Sequence, residues 1–316
     1  MENQMKVLIV DDMHESIEPL LQAAGFIPNY QPLMEPDEVR KIIHEYEGLI
    51  IRSKMAVDKE FVDLGTKLKF VARAGAGMDK VDYEYVLSKG IQLFNAPEGN
   101  RDALAEHSIG MILALFNKIN TSSKEVKSGI WRREENRGWE LMGKTVGIFG
   151  FGFMGEAFSK RLSGFAVDVI AYDKYKTLAP SPYVSQVELD AFFERTEILS
   201  IHVPLTDETR FLFDQDYFSK FKRLKFLINT SRGEVVRLRA VNDLLDDGSL
   251  IGACLDVLEN EKLDKLTPEQ TIDFEKLRLR SNVILTPHVA GWTMESYRKI
   301  NEVLVAKLIA AGLGTP

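Results

Sequence analysis

A side chain that passes a proton at working pH must change charge near neutrality, and histidine does so without help from its surroundings. The chain carries five: His14, His44, His107, His202 and His288. His14 and His44 fall in polar helical stretches and read as solvated. His107 falls on a long helix and His202 near the end of a strand, and both read as structural. His288 stands in Thr286-Pro287-His288-Val289-Ala290-Gly291-Trp292, directly after the apolar run 283–285. That is the carboxyl end of a parallel strand, where open α/β sheets place their ligands. Two further strand ends carry suitable partners. Arg232, in Asn229-Thr230-Ser231-Arg232-Gly233, can fork onto a carboxylate and polarise a keto oxygen. The loop Asp256-Val257-Leu258-Glu259-Asn260-Glu261 offers a carboxylate that would favour the charged form of an imidazole it touched. Glu259 and Glu261 are both candidates. A proton donor, an anion anchor and a group that polarises the carbonyl are what interconversion of a 2-keto acid and a 2-hydroxy acid requires.

The hydride for such chemistry also has an expected place. The run 145–149 leads into Gly150-Phe151-Gly152-Phe153-Met154-Gly155, a GxGxxG set between a strand and a helix. Gly150 permits a sharp turn, Gly152 lets backbone approach a pyrophosphate, and Gly155 lets helix and strand pack closely. The helix start, at Phe153 and Met154, presents unpaired N–H groups and a partial positive charge to the phosphates. The next strand ends at Asp173, an acid that accepts from both ribose hydroxyls and repels a 2′-phosphate. NAD is therefore expected rather than NADP, with Lys174 the one neighbour that argues the other way.

Short apolar runs must position these groups. They fall at 7–10, 48–51, 70–74, 91–94, 145–149, 167–172, 198–203, 226–229, 250–255 and 282–285. Their continuity, without clean alternation, is that of strands covered on both faces in a parallel sheet. Amphipathic stretches lie between them. Ile17, Leu20, Leu21 and Ala24 form one apolar face, which Gly25 ends. The long helix is expected over 101–116 with Asn100 as its cap, and a final helix over about 294–311. The polar segment 117–143 has little hydrophobic rhythm and holds the domain crossing, the second domain's own strands starting near Gly143. The fold class is α/β, with two doubly wound parallel-sheet domains: a Rossmann NAD-binding domain at 101–289, inserted in a flavodoxin-like substrate domain at 1–100 and 290–316. Asp11 and Asp12 look like the acid pair of a phosphoacceptor receiver domain, but the strand at 48–51 is followed by Arg52-Ser53 with no acid. The pair reads as the end of a strand and the start of a helix.

Length and charge narrow the rest. The 316 residues suit two domains, 45% are hydrophobic and 28% charged, and the net charge is −7 with no basic run. Nucleic-acid binding is not expected. No apolar stretch approaches the roughly 20 residues that cross a bilayer, and the N-terminus lacks the pattern of a signal peptide, so a cytoplasmic location is expected. Cys254, the single cysteine, reads as a small buried hydrophobe, and no cluster has metal-ligand spacing.

The chain resembles the D-isomer-specific 2-hydroxyacid dehydrogenases from about Gly48 to the final helix. The pieces that carry the likeness are Asn229-Thr230-Ser231-Arg232-Gly233, Asp256 with Glu261 five residues on, and Thr286-Pro287-His288, in that order after the GxGxxG. The resemblance implies that Arg232 binds and polarises the substrate, that Glu261 holds and charges the imidazole, and that His288 shuttles the proton. It favours Glu261 over Glu259 by its spacing from Asp256. It places Asp256 by the nicotinamide carboxamide, and Thr230 and Ser231 with Val203 and Pro204 along the cofactor. Arg73-Ala74-Gly75-Ala76-Gly77-Met78-Asp79 resembles the segment whose N–H groups hold the substrate carboxylate. Arg52, Arg73 and Arg133 resemble positions that meet phosphate in short-form D-3-phosphoglycerate dehydrogenases, with Ser53 beside Arg52 among the substrate-binding residues, whereas Arg101 and Lys262 depart from the usual pattern. A small-molecule substrate and a homodimer, built through the long helix and the segment after it, are implied. The chain stops after its last helix, where long forms continue into a regulatory domain, so control by serine is not implied. Phosphoglycerate, glyoxylate and hydroxypyruvate remain open as substrates. A corepressor-like NAD-binding protein and a formate or phosphite oxidiser remain as other readings.

Overall fold

In the computed structural model, which describes residues 4–315, every one of those apolar runs becomes a strand, with ends within one or two residues of the expected ones. Strands β1 (Lys6–Ile9), β2 (Ile27–Tyr30), β3 (Gly48–Ile51), β4 (Phe70–Arg73) and β5 (Gln92–Asn95) pair in parallel in the order β2-β1-β3-β4-β5. That is the flavodoxin-like order, with its reversal between β1 and β3. Alternate residues of one strand feed two cores. Val7 and Ile9 pack with Ile17, Leu21, Leu304 and Leu308, while Leu8 and Val10 pack with Val39, Ile43 and Phe61. Burial on both faces is why the run shows no polar alternation. The first helix, Ile17–Ala23, closes in a Schellman motif: Phe26 N–H reaches Leu21 C=O at 2.9 Å and Gly25 N–H reaches Gln22 C=O at 3.0 Å. Gly25, at φ +82°, supplies the left-handed residue that this needs.

Strands β6 (Thr145–Phe149), β7 (Asp168–Tyr172), β8 (Ser185–Gln186), β9 (Ile198–Ile201), β10 (Phe226–Asn229), β11 (Gly252–Leu255) and β12 (Val283–Leu285) form a second parallel sheet, ordered β12-β11-β10-β9-β6-β7-β8. Counted from β6, this is the Rossmann arrangement with one strand added at the far edge. Helices again cover both faces, and Cys254 lies fully buried in β11. The described residues divide into one unit that runs to Arg101 and resumes at Trp292, and a second unit, Asp102–Gly291.

Three local expectations change. The long helix runs Pro97–Phe116, so Asn100 lies inside it rather than capping it, and its buried Oδ1 has no partner among the described residues. Pro97 starts the helix because its fixed φ suits the first turn, where a missing N–H does no harm. The segment 117–143 contains a helix, Ile119–Lys127, with no buried residue, so no apolar stripe marked it. Asp11 and Asp12 end a strand but do not start a helix, which begins at Ile17. Asp11 instead accepts N–H groups from Arg52 at 2.6 Å, Lys54 at 3.2 Å and Ser53 at 3.4 Å.

Candidate active site

Strands β10, β11 and β12 are consecutive neighbours, and neighbouring strands lie about 4.8 Å apart, so the loops leaving their carboxyl ends share one small region. Those loops carry Arg232, Glu261 and His288.

The loop after β12 is held by one carboxylate. Asp256, 2% exposed, accepts the Thr286 hydroxyl at 2.5 Å, Val289 N–H at 3.0 Å and Ala290 N–H at 2.8 Å. Its main-chain carbonyl takes His288 N–H at 2.8 Å. Within this frame His288 sits at φ +56°, a left-handed conformation that a residue with a Cβ adopts only when its surroundings hold it. The imidazole then meets Glu261: Nδ1 lies 2.9 Å from Oε1 and 3.1 Å from Oε2. A carboxylate only accepts, so Nδ1 carries the hydrogen and Nε2 is the nitrogen left to give or take a proton. Both side chains are about half exposed.

The two acids of the β11 loop separate cleanly. Glu259 is half buried, accepts Leu238 N–H at 2.6 Å at the start of the Leu238–Asp246 helix, and is pushed up by burial. Glu261 faces the imidazole. Lys262, the departure from the family pattern, donates its N–H to Asn260 Oδ1 at 3.0 Å, a bond that proline has no hydrogen to make.

Arg232 leaves β10 on a brace that residue type did not reveal. Buried Asn229 accepts Ser231 N–H at 3.1 Å and Ser231 Oγ–H at 2.8 Å, and its amide donates to Arg232 C=O at 3.1 Å. The guanidinium donates through Nη1 to Ser231 C=O at 2.7 Å. At Gly233 a Cβ would stand 1.8 Å from Leu258 C=O, so this turn lies directly against the loop that leads to Glu261. Thr230 is buried beside Ser108, their hydroxyls 3.4 Å apart.

The three nucleotide-motif glycines do three different things. Gly150 turns the chain at φ +88°, and a Cβ there would strike Val203 and the His202 carbonyl. A Cβ on Gly155 would stand 2.6 Å from Gly150 C=O. Gly152 faces open space and caps the Phe153–Leu162 helix without a side-chain partner, so the first N–H groups of that helix look outward. Such a turn fits a pyrophosphate. Asp173 accepts Phe151 N–H at 2.8 Å and the N–H groups of Tyr175 and Lys176 at 3.0 Å, which pins it beside the turn. Lys174 is paired with Glu208. Pro204 C=O accepts the Thr209 hydroxyl at 2.6 Å, shaping the loop after β9. His202 is kept neutral, burial pushing it down to about 3, with Ser200 Oγ 2.8 Å from Nε2.

Of the residues expected to hold substrate, Arg52, Ser53, Arg73, Gly75, Ala76 and Gly77 lie in the other unit and are described there. Gly75 is at φ +141°, where a Cβ would overlap the Arg73 guanidinium. Ala76 C=O is held by Asn95 Nδ2 at 2.8 Å and Gly75 C=O by Ala96 N–H at 2.8 Å. Among the described residues no acceptor meets the N–H groups of Gly75, Ala76 or Gly77. Arg73 Nε donates to Arg52 C=O at 3.1 Å. Arg52 Nη1 donates to Asp12 C=O at 3.2 Å, and its guanidinium lies 4.1 Å from the ring centre of Trp292. Ser53 and Arg133 are exposed.

The family profile described as "D-isomer specific 2-hydroxyacid dehydrogenase, NAD binding domain" matches residues 109–290. A hydroxypyruvate reductase of Thermotoga maritima is 35% identical over 275 residues, covering 87% of this chain and 88% of its own. A D-3-phosphoglycerate dehydrogenase of Archaeoglobus fulgidus is 31% identical over 314 residues, 99% of this chain, but the match spans only 58% of that protein. Among solved structures, the D-lactate dehydrogenase of Aquifex aeolicus complexed with NAD and lactic acid aligns over 97% of this chain and 96% of its own, with a TM-score of 0.81 and 25% identity.

Proposed function

The chain belongs to the D-isomer-specific 2-hydroxyacid dehydrogenase family, and we propose that it interconverts a small D-2-hydroxy acid and its 2-keto acid with Arg232, Glu261 and His288 as its catalytic residues. The observation that carries this reading is the Glu261–His288 pair, set on a loop clamped by Asp256 at the carboxyl end of a Rossmann sheet. NAD is the cofactor, supplying or taking the hydride at C2 when bound. The Gly150–Gly155 turn, the first N–H groups of the Phe153–Leu162 helix, Asp173, Val203 and Pro204 would hold it. His288 Nε2 gives a proton to the carbonyl oxygen in reduction and takes it back in oxidation. Glu261 fixes the ring's tautomer and stabilises the imidazolium. Arg232 grips and polarises the keto acid. The amides of Gly75, Ala76 and Gly77 suit a carboxylate, since their N–H groups have no acceptor among the described residues.

Substrates of two kinds fit: 3-phosphohydroxypyruvate, with Arg52, Arg73 and Arg133 serving the phosphate, or an unphosphorylated acid such as hydroxypyruvate or glyoxylate. A rate panel with hydroxypyruvate, glyoxylate, pyruvate and phosphohydroxypyruvate, each with NADH and NADPH, tests the reading. NADH oxidation above background with at least one supports it. No turnover with any, alongside tight NADH binding, would turn the assignment toward a regulatory NAD-binding protein.

A homodimer is proposed through the long helix and the segment 117–143, where Trp131 is 84% exposed and Ile119, Val126 and Met142 are exposed too. Sedimentation at micromolar concentration should show the dimer. No helix among the described residues is long and apolar enough to cross a membrane, and a cytoplasmic site of action completes the proposal.

A further inference from the structure

His107 has no part in the reaction as set out above, yet it touches the loop that carries His288. It lies on the Pro97–Phe116 helix, partly buried, with Nε2 3.2 Å from Thr286 Oγ and 3.8 Å from Asp256 Oδ1. The direction of these hydrogen bonds follows from counting protons. Asp256 is buried among donors and accepts from all of them. Thr286 has one hydroxyl proton, and its short contact at 2.5 Å is to Asp256, the alternative being the Met111 sulfur at 3.8 Å. With that proton directed at Asp256, Thr286 can only accept from His107. His107 Nε2 therefore carries a hydrogen, and one line of bonds runs from His107 N–H through the Thr286 hydroxyl to the carboxylate that holds residues 289 and 290.

Resting on the reaction proposed above, we propose that His107 is a positioning residue for His288. By donating Nε2–H to Thr286 it turns that hydroxyl onto Asp256. This keeps the 286–290 loop in the one shape in which His288 is left-handed and its ring reaches Glu261. The loop gains from such support because the left-handed conformation is energetically costly for a residue with a Cβ. Accepting Nε2–H from His107 fixes the rotation of the Thr286 hydroxyl with its own proton toward Asp256.

Three replacements separate this role from simple packing. His107→Gln can place an amide N–H near the position of Nε2–H, His107→Asn places it a bond short, and His107→Leu has none. The leucine and asparagine variants should lose about tenfold in kcat, a loss suited to a slightly misplaced proton donor. NADH affinity, read by fluorescence quenching, should hold, and glutamine should restore most of the rate. Equal rates in all three variants would overturn the proposal, as would a kcat loss matched by an equal loss of NADH affinity. A second readout does not depend on turnover. The Nδ1–H proton of His288, seen by NMR, should stay protected from exchange in the wild type and the glutamine variant and broaden in the other two. Unaltered protection in His107→Leu would refute the positioning role. Failure of the reaction itself would appear elsewhere, as an unchanged rate in His288→Asn.

Discussion

Two buried aspartates, one in each unit, do similar work with different results. Asp11, after β1, gathers the N–H groups of residues 52–54 and so shapes the loop that carries Arg52. Asp256, after β11, gathers the donors of 286–290 and shapes the loop that carries His288. In both cases a carboxylate at the end of one strand fixes the loop leaving the neighbouring strand. The Asp11 loop needs no unusual backbone, and its arginine rests against Trp292. The Asp256 loop holds a left-handed histidine and is itself backed by Thr286 and His107. With the roles proposed above, the difference fits the work: an arginine that holds an anion tolerates a plain support, whereas a histidine that passes a proton at a defined distance and angle gains from a more heavily braced one.

The most severe way to break this contrast is to remove the two carried side chains. His288→Asn should lower kcat by about 10²–10⁴-fold with NADH binding retained, whereas Arg52→Ala should act chiefly on KM. Steady-state rates decide, and a larger kcat loss from Arg52→Ala would reverse the ranking. Next come the aspartates. Asp256→Ala and Asp11→Ala should each cost about 3 kcal/mol, read from urea midpoints, because each leaves several donors unmet. Only the Asp256 variant should also lose turnover beyond its loss of folded protein. Asp173→Ala tests whether a third such carboxylate combines support with recognition. It should relax the preference for NADH over NADPH by about tenfold or more, at about 1.4 kcal/mol per tenfold. An intact preference would move ribose recognition to another residue.

The last effect concerns pH. His202, in the second unit, stays neutral when folded, held down to about 3, while the unfolded chain takes that proton near 6.5. Below pH 6.5 the unfolded state therefore binds more protons, and stability falls as pH drops from 6.5 toward 3. His14 and His44 of the first unit are partly buried and exposed. Hydrogen exchange at pH 5 should rise first in the second unit, and His202→Gln should narrow the difference between its urea midpoints at pH 7.5 and pH 5. An unchanged difference would assign the acid limb to other groups.

What could be read from residue types alone follows a physical line. Interior strands were legible because burial on both faces leaves an unbroken apolar run. The edge strands β2 and β8 were not: Ile27–Tyr30 contains a proline and is at most half buried, and Ser185–Gln186 is two polar residues long. The glycine motif was legible because each glycine answers a separate steric demand. His288 stood out by its place after a strand, whereas the choice of Glu261 over Glu259 came from resemblance, since two acids two residues apart look alike until one caps a helix. The clamps at Asp256, Asp11 and Asn229 were invisible as clamps. Their partners are main-chain groups of loops whose conformation no residue type announces, and for the two aspartates those loops are distant in sequence. The same limit hid His107, whose partner lies 179 positions away.

Gly233 carries a consequence for how the enzyme can change. Because its bare Cα lies against the Leu258 carbonyl, the turn bearing the arginine and the turn bearing the glutamate share a wall one atom thick. Any side chain introduced there would push the two turns apart, displacing Arg232 and the Glu261–His288 pair together. A change that retunes one of these loops must therefore leave the other's backbone where it is.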